Sequence, residues 1–376
     1  MVIISVNLWA GKSISFRAFW GSSNSIHIPL WFFSYEEIHS LFIESSEGTS
    51  ANQRATVIEF ILKSKKEYMK MNMPTYSTDV ITADTQIPFS VQSLITYLNE
   101  KNTEEIETGE IYKSGDNKGA QKTKQAASYG KLTNLINRLQ TKMDDKKYAF
   151  VFSDSNNQDV NYLNTVIHTL LDNEDKRVKV IDLSEVPSDI LPIIIGIITK
   201  LINDVQFWMN PIGDETRQPL TIICDEAHIY MPNDSSKMKS IDRKSLEIFE
   251  SIAKEGRKYG LGLVIVSQRP SDLNNTIISQ CNNFISLKIT NDRDKSAVAN
   301  MLTDSLVGLV DLLPNLDVGE CVVVGDAIML PSKILLDQPQ EKPRSSTIAF
   351  WDKWLNKDGT VFDIDQAVSS MINQTR

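Results

Sequence analysis

From Tyr148 onward, short apolar runs alternate with helical periodicity: YAFVF (Tyr148–Phe152), VKVIDL (Val178–Leu183), LTIIC (Leu220–Cys224), LGLVIV (Leu261–Val266), FISL (Phe284–Leu287) and CVVVG (Cys321–Gly325). Runs this short, bounded by turn formers, read as buried strands. The intervals carry a helical pattern at Asn161–Leu171, Ile190–Phe207, Ser245–Tyr259 and Asp294–Leu302. Strand and helix alternating this often predict an α/β fold whose mostly parallel sheet is covered on both faces.

The chain before Tyr148 follows another rule. Glu37–Phe42, Asn52–Met69, Val91–Glu100 and Leu132–Leu139 are amphipathic at helical spacing, which predicts a helical insertion subdomain over residues 36–142. Within it, residues 101–128 are rich in Lys, Glu, Gly and Gln and hold almost no large apolar side chain, so a mobile loop is expected there. Residues 1–35 read as remnant strands of the core, 143–335 as the main core, and 336–376 as a Pro-punctuated tail with a short helix near Phe350–Leu355.

Composition narrows the partners. With 376 residues, 41% of them hydrophobic, the chain can bury one large core and a smaller one. A net charge of −9 excludes a protein that coats nucleic acid over its whole surface, because backbone binding needs clustered Lys and Arg. Any DNA contact must be local, for instance a few basic loops lining a channel. Cys224, Cys281 and Cys321 show neither pairing nor metal-site spacing, which suits a reducing, cytoplasmic setting. The longest apolar stretch, Ile190–Ile202, is broken by Pro192 and carries Lys200, so it reads as a buried helix rather than a membrane span.

The chemistry concentrates where LTIIC runs into Asp225 and Glu226. In a parallel sheet the carboxyl ends of the strands open on the ligand crevice. Two acids there can hold a magnesium ion through water and polarise a water that attacks a γ-phosphate. A strand that merely ends in solvated acids would carry the same letters. Further on, AKEGRKYGLGLVIVSQRP closes a helix in a basic cluster, Lys254, Arg257 and Lys258, and opens a strand whose far end presents Ser267, Gln268 and Arg269. Gln268 would lie beside the acids, and Arg257 at a helix end suits either a guanidinium finger or simple stabilisation of the helix dipole.

LTIICDEAH, EGRKYGLGLVIVSQRP, SQCNNFISLKITNDRD and SLVGLVDLLPNLDVGECVVVGDAIMLPSKI together resemble the HerA-like branch of the HerA/FtsK translocases, across most of residues 26–355. The resemblance implies a RecA-like P-loop NTPase core acting on ATP and Mg²⁺. It implies Asp225 and Glu226 as the acidic pair, Asp225 on the metal, Gln268 as the polar sensor and Arg257 as a finger reaching the neighbouring subunit. A homohexameric ring threaded by double-stranded DNA is implied as well, as is a nuclease or other effector partner of NurA or sirtuin-like type, in DNA-end processing or defence against phage. Asp225–His228 also spells the box of a different helicase superfamily. That reading is set aside, because the following strand ends in Ser267-Gln268-Arg269-Pro270.

Two further expectations follow. A working ATPase of this class needs GxxxxGK[ST], and the chain has none. Gly11-Lys12-Ser13 is the nearest match, with Val6 where the leading glycine belongs, so the core is expected to be incomplete at its N-terminus and Lys12 to sit in a turn between strands. The alternative that this favours is a ring scaffold for an effector that hydrolyses nothing. Lys237, Lys239, Arg243 and Lys244, in MPNDSSKMKSIDRKSLE, are expected on a polar loop as contacts to the DNA backbone, or equally as ordinary solvated residues.

Overall fold

The computed structural model describes residues 2–5, 15–17, 27–44, 47–111, 121–152, 159–171, 178–183, 186–209, 218–233, 240–302, 304–338, 350–355 and 363–373. The first unit comprises Met1–Leu8 with Ser13–Gln338, and the second Trp9–Lys12 with Pro339–Arg376.

In the first unit the chain begins with β1 (Val2–Ser5) and β2 (Ser15–Arg17), then enters helices α1 (Tyr35–Phe42), α2 (Ser50–Asn72) and α3 (Val91–Asn102). A reciprocal cap starts α1: the Ser34 N–H donates to Glu37 Oε2 at 2.6 Å, while the Glu37 N–H donates to Ser34 Oγ at 3.4 Å. Strands β3 (Glu105–Ile111) and β4 (Gln121–Gln125) form an antiparallel hairpin before α4 (Thr133–Asp144). The expected loop over 101–128 therefore contains a ladder, one built almost wholly of exposed residues.

The core follows with α5 (Ala149–Phe152), α6 (Asn161–Leu171), β5 (Lys179–Asp182), α7 (Leu191–Trp208), β6 (Leu220–Cys224), α8 (Ser240–Glu255) and β7 (Leu261–Ile265). YAFVF is helical rather than a strand. Asp145 accepts the Lys147 N–H at 2.9 Å and opens a 3-10 turn over Lys146–Tyr148, which runs on into α5. The main sheet is parallel throughout, in the order β2-β5-β1-β6-β7.

Downstream lie α9 (Asn275–Ile278), β8 (Asn283–Ser286), α10 (Asp292–Met301), β9 (Glu320–Gly325) and β10 (Ser332–Leu335). FISL and CVVVG, here β8 and β9, were expected to extend the parallel sheet, and no strand was expected at β10. Instead all three form a separate antiparallel sheet, ordered β10-β9-β8. Its small core of Val298, Val310, Leu313, Leu316, Val322 and Val324 is distinct from the main one.

Helix α7 fastens the main core. Ile193, Ile194, Ile195, Ile197 and Ile198 are all buried, each contributing about 1.5–3 kcal/mol relative to exposure. Its length and mean hydropathy of 1.3 would suffice for a membrane span, yet 61% of it is buried within the protein. Gly196 lets α8 approach closely, since a Cβ there would stand 2.5 Å from Ser245 Oγ. In the second unit, α11 (Phe350–Leu355) and α12 (Ile364–Asn373) carry exposed apolar residues, and the rings of Trp351 and Trp354 meet edge to face at 5.6 Å.

Candidate active site

The parallel register of β6 and β7 places Cys224 opposite Ile265, so both strands deliver their next residues to the same end of the sheet. The ladder continues past the strand ends: Val266 N donates to Cys224 O at 2.9 Å and Ala227 N to Val266 O at 3.0 Å. Asp225 is half-buried and Glu226 buried at this tip. Glu226 adopts φ 47°, ψ 43°, the one positive φ outside glycine among the described residues. Such a conformation costs about 1–3 kcal/mol and is retained where the surroundings enforce it.

The enforcement is visible. Asp225 Oδ1 accepts the Glu226 N–H at 3.0 Å, and the Tyr230 hydroxyl donates to the Asp225 carbonyl at 2.9 Å. Tyr230 is buried beside Phe249 of α8, ring centroids 5.9 Å apart. Burial pushes its hydroxyl well above the ordinary tyrosine range, so it stays a protonated donor. Burial likewise pushes the Cys224 thiol up to about 12, which removes it as a nucleophile.

Gln268 converges on the acids as its position in sequence implies. Its Nε2 donates to Glu226 Oε1 at 2.6 Å. A carboxylate only accepts, so the amide must turn its nitrogen inward, and a second N–H on that nitrogen remains to reach a phosphate or a water. His228 completes the cluster: its Nδ1 lies 3.4 Å from Glu226 Oε2 and 3.1 Å from Ser267 Oγ. Sequence reasoning treated His228 only as part of a rival motif and passed over Ser267, although both flank the residues it selected.

Arg257 occupies a 3-10 turn, Gly256–Tyr259, that ends at Gly260 in the left-handed region (φ 73°) before β7 begins. Its side chain is exposed. Arg257 and Gln268 lie beyond opposite ends of β7, a strand whose five residues span roughly 16 Å. The guanidinium is therefore remote from the acids of its own chain and open to whatever packs against that end of the sheet.

The basic candidates divide. Lys237 and Lys239 lie outside the described residues, as does Lys12. Arg243 and Lys244, expected on a loop, stand in the first turns of α8, Arg243 exposed and Lys244 half-buried. Lys244 acts electrostatically on Glu37, a carboxyl that burial raises and cations partly restore, so part of its charge serves the packing of α1 on α8. No group of three or more His, Cys, Asp or Glu fit to hold a metal occurs among the described residues. A single carboxylate from Asp225 suits magnesium, which is held mostly by phosphate oxygens and water.

Comparison with known proteins bears on the family and the fold. The DNA double-strand break repair helicase HerA of Pyrococcus furiosus is 41% identical over 116 residues, covering 31% of this chain and 20% of that protein. The probable counterpart in Methanocaldococcus jannaschii is 35% identical over 141 residues, covering 38% and 27%. The chain spans between a fifth and about a third of the length of the curated relatives it matches. VirB4 of Thermoanaerobacter pseudethanolicus shares the fold at 13% identity, with a TM-score of 0.53 over 90% of this chain and 82% of that one. Together with the parallel sheet, this makes the core a RecA-like α/β one. The profile described as "Helicase HerA, central domain" matches residues 8–202, just over half of the 376, and the chain belongs to that HerA helicase family.

Proposed function

We propose that this chain is a subunit of an ATP-driven DNA translocase, with Asp225 and Glu226 as the magnesium and water-activating acids, Gln268 as the γ-phosphate sensor and Arg257 as the finger given to the next subunit. The observation that carries the reading is the 2.6 Å contact of Gln268 Nε2 with Glu226 Oε1 at adjacent strand tips. An acid and an amide so placed can orient one water between them. A finger that its own site cannot use must be presented to a neighbour, which supports head-to-tail assembly, and the resemblance to HerA-like translocases implies a closed ring of six. Double-stranded DNA through the ring, and a nuclease or other effector docked on it, complete the proposal. The name of the Pyrococcus furiosus relative, a double-strand break repair helicase, supports DNA ends as the setting.

A second reading is a ring scaffold that does not hydrolyse nucleotide, favoured by the lack of GxxxxGK[ST] in these 376 residues. DNA-stimulated release of phosphate from Mg-ATP separates the two. Under the first reading Glu226→Gln lowers the rate by about 10²-fold or more while leaving nucleotide binding intact. No turnover by either leaves the scaffold, whereas equal turnover by wild type and Glu226→Gln would remove Glu226 from the chemistry.

A further inference from the structure

Glu226 is gripped from two sides, and the reading above uses one. Oε1 accepts the Gln268 amide, whereas Oε2 has Nδ1 of His228 3.4 Å away, near enough for electrostatic attraction but outside hydrogen-bond geometry. The same Nδ1 is 3.1 Å from Ser267 Oγ, which also accepts the Arg269 backbone N–H at 3.0 Å. Both neighbours of the carboxylate are thus tied to one dipeptide, Ser267-Gln268, at the tip of β7.

Lone pairs decide the tautomer. An unprotonated Nδ1 would set its lone pair against those of a carboxylate oxygen, so the proton is assigned to Nδ1, which donates it to Ser267 Oγ while facing Glu226 Oε2. Ser267 Oγ has two lone pairs and can accept both this proton and the Arg269 N–H.

The loops leaving the two strand tips are also tied together. Asn233 N donates to Asp272 O and Asn274 N to Met231 O, each at 2.8 Å, with a bridge between Pro232 and Leu273. His228 therefore sits in a short 3-10 turn closed off by a fixed strap, with little freedom to swing away from the carboxylate.

We propose that His228 is a positioning residue for the reaction: its Nδ1–H, anchored by Ser267, sets the plane of the Glu226 carboxylate so that the Gln268 contact and the water-facing lone pairs are held together. This rests on Glu226 acting as the base of ATP hydrolysis. His228 acts through Glu226 and takes no proton from the water itself.

The test uses three variants of the full chain. An asparagine amide nitrogen overlays the Nδ1 position, whereas a glutamine nitrogen falls nearer Nε2. His228→Ala and His228→Gln should lower kcat for Mg-ATP by about 10–100-fold, the usual effect of losing a group that orients a reactive one, with KM unchanged. His228→Asn should recover most of the rate. A second measurement needs no turnover: the side-chain amide resonances of Gln268 in ¹⁵N-glutamine-labelled protein without nucleotide, identified by their loss in Gln268→Ala. They should move toward a free amide in His228→Ala and return in His228→Asn. Unmoved Gln268 resonances in His228→Ala, equal behaviour of the Asn and Gln variants, or a raised KM with kcat retained would each overturn the proposal. If the wild type hydrolyses no ATP, the ATPase reading fails, and the Gln268 resonances alone decide the role of His228.

Discussion

The Tyr230 hydroxyl donates to the backbone carbonyl of Asp225 across 2.9 Å, joining the end of the 3-10 turn after β6 to the first acid of the site. The tyrosine is 1% exposed, so no solvent replaces that donor when it is removed. Tyr230→Phe keeps the ring and its contact with Phe249 and leaves one buried carbonyl short of a partner. It should lower stability by about 1 kcal/mol, seen as a lower urea midpoint with unchanged slope. A variant as stable as wild type would mean that the carbonyl finds another donor.

Arg257 and Glu226 should complement each other between subunits. Arg257→Ala alone should lose about 10³-fold or more in rate, as should Glu226→Gln by its own route. Mixed in equal amounts, the two dead proteins form some junctions in which an intact Glu226 meets an intact Arg257. Phosphate release should then recover to a measurable fraction of wild type. No recovery on mixing, with subunit exchange verified separately, would place Arg257 outside the neighbouring site.

Lys65 offers a pH prediction far from the acids. It is fully buried in α2, with Nζ donating to the carbonyls of Ala83 and Thr85 at 2.5 and 2.7 Å. Burial lowers its pKa from 10.5 to about 8, with Asp84 opposing the shift. The unfolded chain thus binds more protons than the folded one between these two values, and stability contributed by Lys65 rises with pH across that window. Below pH 8 both states are protonated and the penalty is complete. At about 1.4 kcal/mol per unit, wild type should gain on the order of 3 kcal/mol on Lys65→Met between pH 7.5 and 10.5. Urea unfolding of both proteins at three pH values in that range measures the difference, and a gap that stays constant would refute the assignment.

Much of the core was legible because burial and chemistry are local. Leu220–Cys224 and Leu261–Ile265 are apolar runs ended by polar groups, and the structure finds strands there with Glu226 and Gln268 in contact. Where sequence reading failed, the deciding term was not local hydrophobicity. Tyr148–Phe152 is too short for periodicity to separate strand from helix, and a cap from Asp145 tips it. The β3–β4 hairpin buries almost nothing, so no alternation betrays it; its ladder is supplemented by exposed pairs such as Lys122 with Glu110 at 2.9 Å. The direction in which β8 and β9 pair depends on partners some forty residues apart, which apolar runs do not encode. Arg243 and Lys244 were read from charge alone, and charge carries no information about the helix that holds them.

Strand β7 has a mechanical consequence. It is five residues long, hydrogen-bonded along its whole length to β6, with Gln268 beyond one end and Arg257 before the other. Gly260 alone separates the Gly256–Tyr259 turn from the strand, and Gly256 is pressed so close to the Leu261 carbonyl that a Cβ would come within 2.8 Å. A rod this stiff transmits displacement rather than absorbing it. If Arg257 serves a neighbouring subunit as proposed, a shift of the Gln268 amide at one tip would be passed along the strand toward the guanidinium at the other.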